Sequence, residues 1–343
     1  MNPFVSVHMI VKENTHLGEK FLNGAFTSLW ESNYPNEVIL IDNGSSDFIF
    51  EKVYEPWKVK FQDFDCELKV IKSPLTKFCD LRNLCLELTD PNTSFFSWLD
   101  SDEVLWPEDL DILKNYIMPE HSTASVIWSY FYHCVINPFQ AQTNVTKIRA
   151  KVEQNIDDYR CCKDNIFSYK KDMKWVGSVH EKLRGLNTGN AVQSQVEYMH
   201  YGYCRPQYKT FLKWLKYALL EFGHVGVYKD ELIEWEVDGV KKSKMRDYLR
   251  DWRDPFNILY DRQEICRPIP ETKIGMRDYF PAGHNVIVGD CKNGEDWEKH
   301  IMSIDDHSFA EKWRDKYKEM GSWKNTLDWV VEEGEKCGWS IAW

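Results

Sequence analysis

The sequence has no Cys-x-x-Cys pair, no long apolar run and no basic excess, and each absence removes a class of function. Its ten cysteines are scattered through 343 residues, a length that buries a core without covalent staples. Cys161-Cys162 is vicinal and a poor disulfide candidate, and the missing Cys-x-x-Cys argues against a zinc ribbon. No stretch approaches a membrane span. The apolar run Phe4–Val11 is short, contains His8 and lacks the basic flank of a secretory signal. The expectation is therefore a cytoplasmic protein with reduced thiols and no integral membrane segment, peripheral membrane attachment remaining open. The net charge of −11 is the opposite of a nonspecific nucleic-acid binder's footprint. Lys241-Lys242-Ser243-Lys244-Met245-Arg246 is a local basic run, read first as a solvated helix face. There is no internal repeat and no low-complexity tract.

What is present is an alternation of strand and helix signals. Phe4–Val11, Glu37–Ile41, Leu68–Ile71 and Ser94–Leu99 read as buried strands, and His16–Trp30 and Lys77–Leu88 as helices. This rhythm predicts an α/β fold with a mostly parallel sheet, whose ligands bind outside the carboxyl ends of the strands. A helix is expected from Pro107 to about Ile117, then strands at Ser125–Cys134, Asn144–Ala150, Asp158–Tyr169 and Gln195–Met199. From Pro206 the character changes: helices are expected at Tyr208–Phe222, Lys229–Trp252 and Asp296–Trp343, with a linker at Cys266–Glu271. The 15 tryptophans suit a core first and sugar stacking second.

Asp100-Ser101-Asp102-Glu103 follows the fourth strand directly. Carboxylates at i and i+2 at a strand end can reach one hard cation, Mn²⁺ or Mg²⁺, which would neutralise a diphosphate leaving group. An acidic triplet alone is a weak signal. Three features precede it, each at a strand end or on a helix: Val11-Lys12-Glu13-Asn14, Asp42-Asn43-Gly44-Ser45-Ser46-Asp47, and Asp80-Leu81-Arg82-Asn83. Glu13 and Asp42 can accept hydrogen bonds from ribose or base, the Gly44-Ser45 backbone can face an anion, and Arg82 can pair with phosphate. His8, mid-strand, reads as a core histidine, and Trp98 as core.

In this order the motifs resemble those of the inverting GT-A glycosyltransferases of family 2, over roughly residues 4 to 205. Lys12-Glu13-Asn14 departs from them in having Glu before Asn. Trp175-Val176-Gly177-Ser178-Val179-His180-Glu181 and Tyr198-Met199-His200-Tyr201-Gly202-Tyr203 resemble the Val-His-Glu and His-x-Gly-Tyr segments of one branch. The resemblance implies a GT-A, Rossmann-like nucleotide-diphospho-sugar transferase domain over 1–205; the change of character beyond it is read as a mostly helical extension over 206–343, for acceptor binding or oligomerisation as a homodimer. It implies a nucleoside-diphosphate sugar donor, UDP-linked by default, with Val11, Glu13, Asp42, Asn43, Arg82, Asp100, Ser101, Trp175 and His180 around it. Asp100, Asp102 and His200 would hold the cation. Glu181 would be the general base, with Asp102, Glu103 and Asp158 as rivals, and Arg160 would either face the diphosphate or make a structural salt bridge. The acceptor is open between glycan, protein and a modified nucleobase of viral DNA. Two other classes compete. A nucleotidyltransferase wants a Gly-rich basic loop where Lys12-Glu13-Asn14-Thr15 stands, and a non-catalytic nucleotide-sugar binding module would have no need of the Asp100-Ser101-Asp102 and Glu181 carboxylates.

Overall fold

The structure is a computed structural model describing residues 3–75, 77–135, 137–142, 161–177, 181–186, 190–204, 235–237, 240–242, 266–268, 291, 293–304 and 319. The chain divides into two compact units. One comprises Met1–Cys204 and Cys266–Ile304, the other Arg205–Ile265 and Asp305–Trp343.

The first unit opens with β1 (Val5–Val11), α1 (His16–Glu31) and β2 (Glu37–Asp42). Next come α2 (Asp47–Ile49), which runs through a π-helical turn into α3 (Glu55–Gln62), then β3 (Glu67–Lys72), α4 (Phe78–Leu88), β4 (Phe95–Trp98) and β5 (Glu103–Leu105). After α5 (Pro107–Ile112) and α6 (Met118–Glu120) come β6 (Val126–Val135), β7 (Gln140–Gln142), β8 (Cys161–Ser168), the hairpin β9 (Lys174–Val176) and β10 (Lys182–Arg184), and β11 (Ala191–Tyr203). In the second unit β12 (Trp235–Val237) pairs with β13 (Val240–Lys242). The first unit resumes with β14 (Cys266–Pro268) and α7 (Gly294–Ile304).

The α/β class is the one expected, but the sheet is mixed. Strands β3-β2-β1-β4 are mutually parallel. Beyond them β8 runs antiparallel to β4 and β6 antiparallel to β8. Strand β11 is parallel to β6 and antiparallel to β5. The first half is parallel because each crossover there is helical. β1 is covered on both faces, which is why even its polar residues Ser6 and His8 are buried among Val5, Val7, Met9 and Val11. Val38 and Leu40 pack on one side with Leu22, Ala25 and Phe26 of α1. Ile39 and Ile41 pack on the other with Leu81 and Cys85 of α4. The Thr15 hydroxyl caps α1 by accepting from Gly18 N at 3.1 Å. Trp297 of α7 is fully buried in a cluster with Leu17 and Phe21 of α1.

Two expectations are corrected. The helix expected across 229–252 contains the β12–β13 hairpin instead. Asp238-Gly239, the pair favoured in two-residue hairpin loops, stands between those strands in the sequence. The linker expected at Cys266–Glu271 begins as β14, antiparallel to β7. The strand expected at Asn144–Ala150, the helix at Tyr208–Phe222 and most of that at Asp296–Trp343 lie outside the described residues. Among the described residues no helix is long and apolar enough to cross a membrane.

Candidate active site

Because β1, β2 and β4 are parallel, their carboxyl ends deliver Glu13, Asp42 and Asp100 to one edge of the sheet. Asp42 is buried at the end of β2. Its Oδ1 accepts from the Gly44 and Ser45 backbone N–H groups, both at 3.0 Å, and its Oδ2 from the Tyr54 hydroxyl at 2.8 Å. Burial beside Asp42 pushes the Tyr54 phenol far above its ordinary pKa. Gly44 sits at φ +101°, a left-handed conformation that glycine adopts without strain. Asn43 donates through Nδ2 to the carbonyls of Ser73 (3.0 Å) and Leu75 (2.5 Å), and its N–H to Val11 O at 2.8 Å. Asp42 and Asn43 thus build the loop in which they stand.

Glu13 links this loop to the acidic turn. Its N–H donates to the Ser45 hydroxyl at 2.9 Å, and its Oε1 accepts from Ser101 Oγ at 3.4 Å. Its side chain lies so close to Gly18 that a Cβ there would stand 2.8 Å from the carboxyl carbon. Glu13, not its neighbour Asn14, is therefore the residue turned toward Ser101.

The acidic turn contains a lysine that the sequence reading did not single out. Lys163 of β8 donates to Asp100 Oδ2 at 3.0 Å and to Glu103 Oε1 at 2.6 Å. Asp100 Oδ1 accepts from Trp98 Nε1 at 2.8 Å, and the Asp100 N–H donates to Glu103 Oε2 at 2.9 Å. Burial alone would raise the Asp100 pKa, but Lys163 and Arg82 outweigh it and hold the carboxyl at about 2. Glu103 moves the other way, because burial outweighs the pull of Lys163. Burial works against a charged Lys163, yet the two carboxylates prevail and raise its pKa.

His200 of β11 lies in register with Glu103 on one side and His133 on the other. Its Nε2 is 3.5 Å from Asp102 Oδ1 and its Nδ1 is 2.9 Å from His133 Nδ1. His133 is a second residue the sequence did not signal. Ligand atoms of Asp100, Glu103 and His200 lie within 4.8 Å of one another. Carboxylate oxygens and an imidazole nitrogen fit a small divalent cation such as Mn²⁺ or Mg²⁺.

Beside the turn, the Arg82 guanidinium lies over the Trp98 ring at 3.5 Å and near the Trp175 ring at 4.7 Å. Its Nε is 3.6 Å from Glu181 Oε2, and the Glu181 side chain is only 6% exposed. Trp175 is itself buried, with its ring against Arg82, Trp98 and Phe167, so it does not offer an open ring face to a sugar. The reason is local. Asn83 clamps β9 to α4, donating to Trp175 O at 3.0 Å and accepting from Trp175 N at 2.8 Å. His180, Asp158 and Arg160 lie outside the described residues. The structure therefore brings Val11, Glu13, Asp42, Asn43, Arg82, Asp100, Ser101, Asp102, Trp175, Glu181 and His200 into one connected region.

No protein-family model matches this chain, and no curated protein matches it in sequence. Among solved structures it is similar to the S. aureus TarS 1-349 fragment in complex with UDP-GlcNAc, at 13% identity and a TM-score of 0.38, over 88% of this chain and 91% of that one. The same fragment in complex with UDP gives 13% identity and a TM-score of 0.37, over 88% and 90%. A 4-diphosphocytidyl-2C-methyl-D-erythritol synthase from Anaerococcus prevotii gives 12% identity and a TM-score of 0.29, over 48% of this chain and 71% of that one.

Proposed function

We propose that this chain is a GT-A-type inverting glycosyltransferase that moves a sugar from a nucleoside-diphosphate sugar, UDP-linked by default, to an acceptor hydroxyl. The observation that carries this reading is the meeting of the acidic turn with His200 at the carboxyl edge of the parallel strands, beside the Arg82–Glu181 pair. Asp100, Asp102 and His200 would hold the cation, with Glu103 beside them. When bound, a divalent ion supplies positive charge to the diphosphate as it leaves. Glu13 and Ser101 line the way from the nucleotide loop of Val11, Asp42 and Asn43 to that turn.

Glu181 takes the proton. The acceptor oxygen attacks the anomeric carbon, the bond from that carbon to the diphosphate oxygen breaks, and the hydroxyl proton passes to the Glu181 carboxylate. One displacement inverts the anomeric configuration. Arg82, held by the two indoles, fixes the Glu181 carboxylate. The 206–343 region is assigned to acceptor binding or to self-association, and the protein to the cytoplasm. The test is a mass-spectrometric screen of nucleotide-sugar donors against mixed glycan, protein and nucleobase acceptors. A sugar mass added to one acceptor class by the wild type and lost in Asp102→Ala supports the reading. Equal turnover by that variant contradicts the cation assignment.

A further inference from the structure

The antiparallel register of β4 and β8 pairs Ser97 with Ile166. The pairing ends there, Asp100 follows β4 and Lys163 lies further along β8, and the ammonium reaches the acidic turn to bond Asp100 Oδ2 at 3.0 Å. The Glu103 side chain is 2% exposed and the Lys163 side chain 25%. A carboxylate this enclosed is held by a partner or neutralised, and the partner here is Lys163, with the Asp100 N–H on the second oxygen. Asp100 Oδ2 takes the same ammonium. Asp100 and Glu103 are also two of the three residues whose ligand atoms converge for a cation.

We infer that Lys163 is the resident cation of the acidic turn and competes with a divalent ion for Asp100 and Glu103. This rests on the cation reading proposed above. An ion that takes those oxygens exchanges with the ammonium, and two positive charges at such separation repel strongly away from bulk water. In the wild type the competition leaves Asp102 and His200 as the ligands not bonded to Lys163. Lys163 thereby sets both the affinity of the turn for metal and the charge that a diphosphate meets there when the metal is absent.

The test is calorimetric titration of Mn²⁺ in the presence of saturating UDP, with wild type, Lys163→Ala and Lys163→Arg. Removing the ammonium tightens Mn²⁺ binding by roughly tenfold or more, whereas arginine keeps it near the wild-type value. Unchanged or weaker binding by Lys163→Ala, with the wild type binding normally, overturns the inference and leaves the donor reading standing. No Mn²⁺ binding by any of the three proteins overturns both. Lys163→Ala also leaves Glu103 buried without its ammonium and lowers thermal stability. Mn²⁺ then raises the melting temperature of this variant more than that of the wild type. Equal shifts count against the competition.

Discussion

Arg82 and Glu181 stand 3.6 Å apart, Nε to Oε2, with the guanidinium over the Trp98 ring. The pair ties Glu181, the proton acceptor proposed above, to the sheet core. Glu181→Gln keeps the shape and removes the proposed base. Turnover is expected to fall about 10²- to 10⁴-fold while UDP affinity stays near the wild-type value. Arg82→Lys loses the guanidinium's contacts with the Trp98 and Trp175 rings and lowers turnover through misplacement of Glu181. Parallel turnover and UDP-binding measurements check both.

Asn83 makes two hydrogen bonds to the backbone of Trp175. Asn83→Ala leaves both backbone groups short of a partner and costs about 1–3 kcal/mol. The loss is local first. The Trp175 amide, protected in the wild type, exchanges its hydrogen faster in the variant, which hydrogen-exchange measurements read directly.

Gly18 makes room for Glu13. A Cβ at this position stands 2.8 Å from Glu13 Cδ and 2.9 Å from its Cβ. The Glu13 carboxyl end, whose Oε2 is the nearest atom, can swing aside, but its Cβ is anchored to the backbone, so the Glu13 stem must shift. Gly18→Ala is expected to cost about 1–3 kcal/mol in urea unfolding, as overpacked sites do, and to weaken UDP binding by displacing the Glu13 carboxylate from Ser101.

Much of this frame was legible in the sequence, and the reason is burial. Strands β1, β2 and β4 and helices α1 and α4 announce themselves because these parallel strands are buried within the sheet and each covering helix carries one apolar stripe. The residues that leave those strands carry the motif, so Glu13, Asp42, Asp100 and Asp102 could be singled out by their positions. Lys163 and His133 could not, because what makes them relevant is contact between strands far apart in the chain, with Asp100 and Glu103 in one case and with His200 in the other. Trp175 shows a different gap. Its place near the site was readable, but its burial depends on the Asn83 clamp, a contact between residues far apart in the chain.

His8 supplies a pH dependence. The Thr89 hydroxyl donates to Cys85 O at 2.8 Å, so toward His8 Nε2, at 2.9 Å, it accepts. The proton of the neutral ring is then on Nε2, and the buried Nδ1 has no hydrogen-bond partner among the described residues. Burial, reinforced by Arg82, lowers the His8 pKa from 6.5 to about 3. The unfolded chain takes up a proton near 6.5 that the folded one refuses until about 3. Stability contributed by this group is therefore intact above pH 6.5 and falls as pH drops through that window, by about 1.4 kcal/mol per pH unit. Urea melts from pH 7 to 4 should show this slope in the wild type and a shallower one in His8→Leu. Equal slopes would remove His8 as the cause.

The central claim is that the acidic turn and its neighbours bind a nucleoside diphosphate together with a divalent cation. Calorimetric titration of UDP with and without Mn²⁺, on wild type and Asp102→Ala, tests it most directly. Mn²⁺ should tighten UDP binding to the wild type by roughly tenfold or more, and Asp102→Ala should lose that gain while keeping the weaker metal-free affinity. UDP binding that ignores Mn²⁺, or that responds equally in the two proteins, would contradict the account.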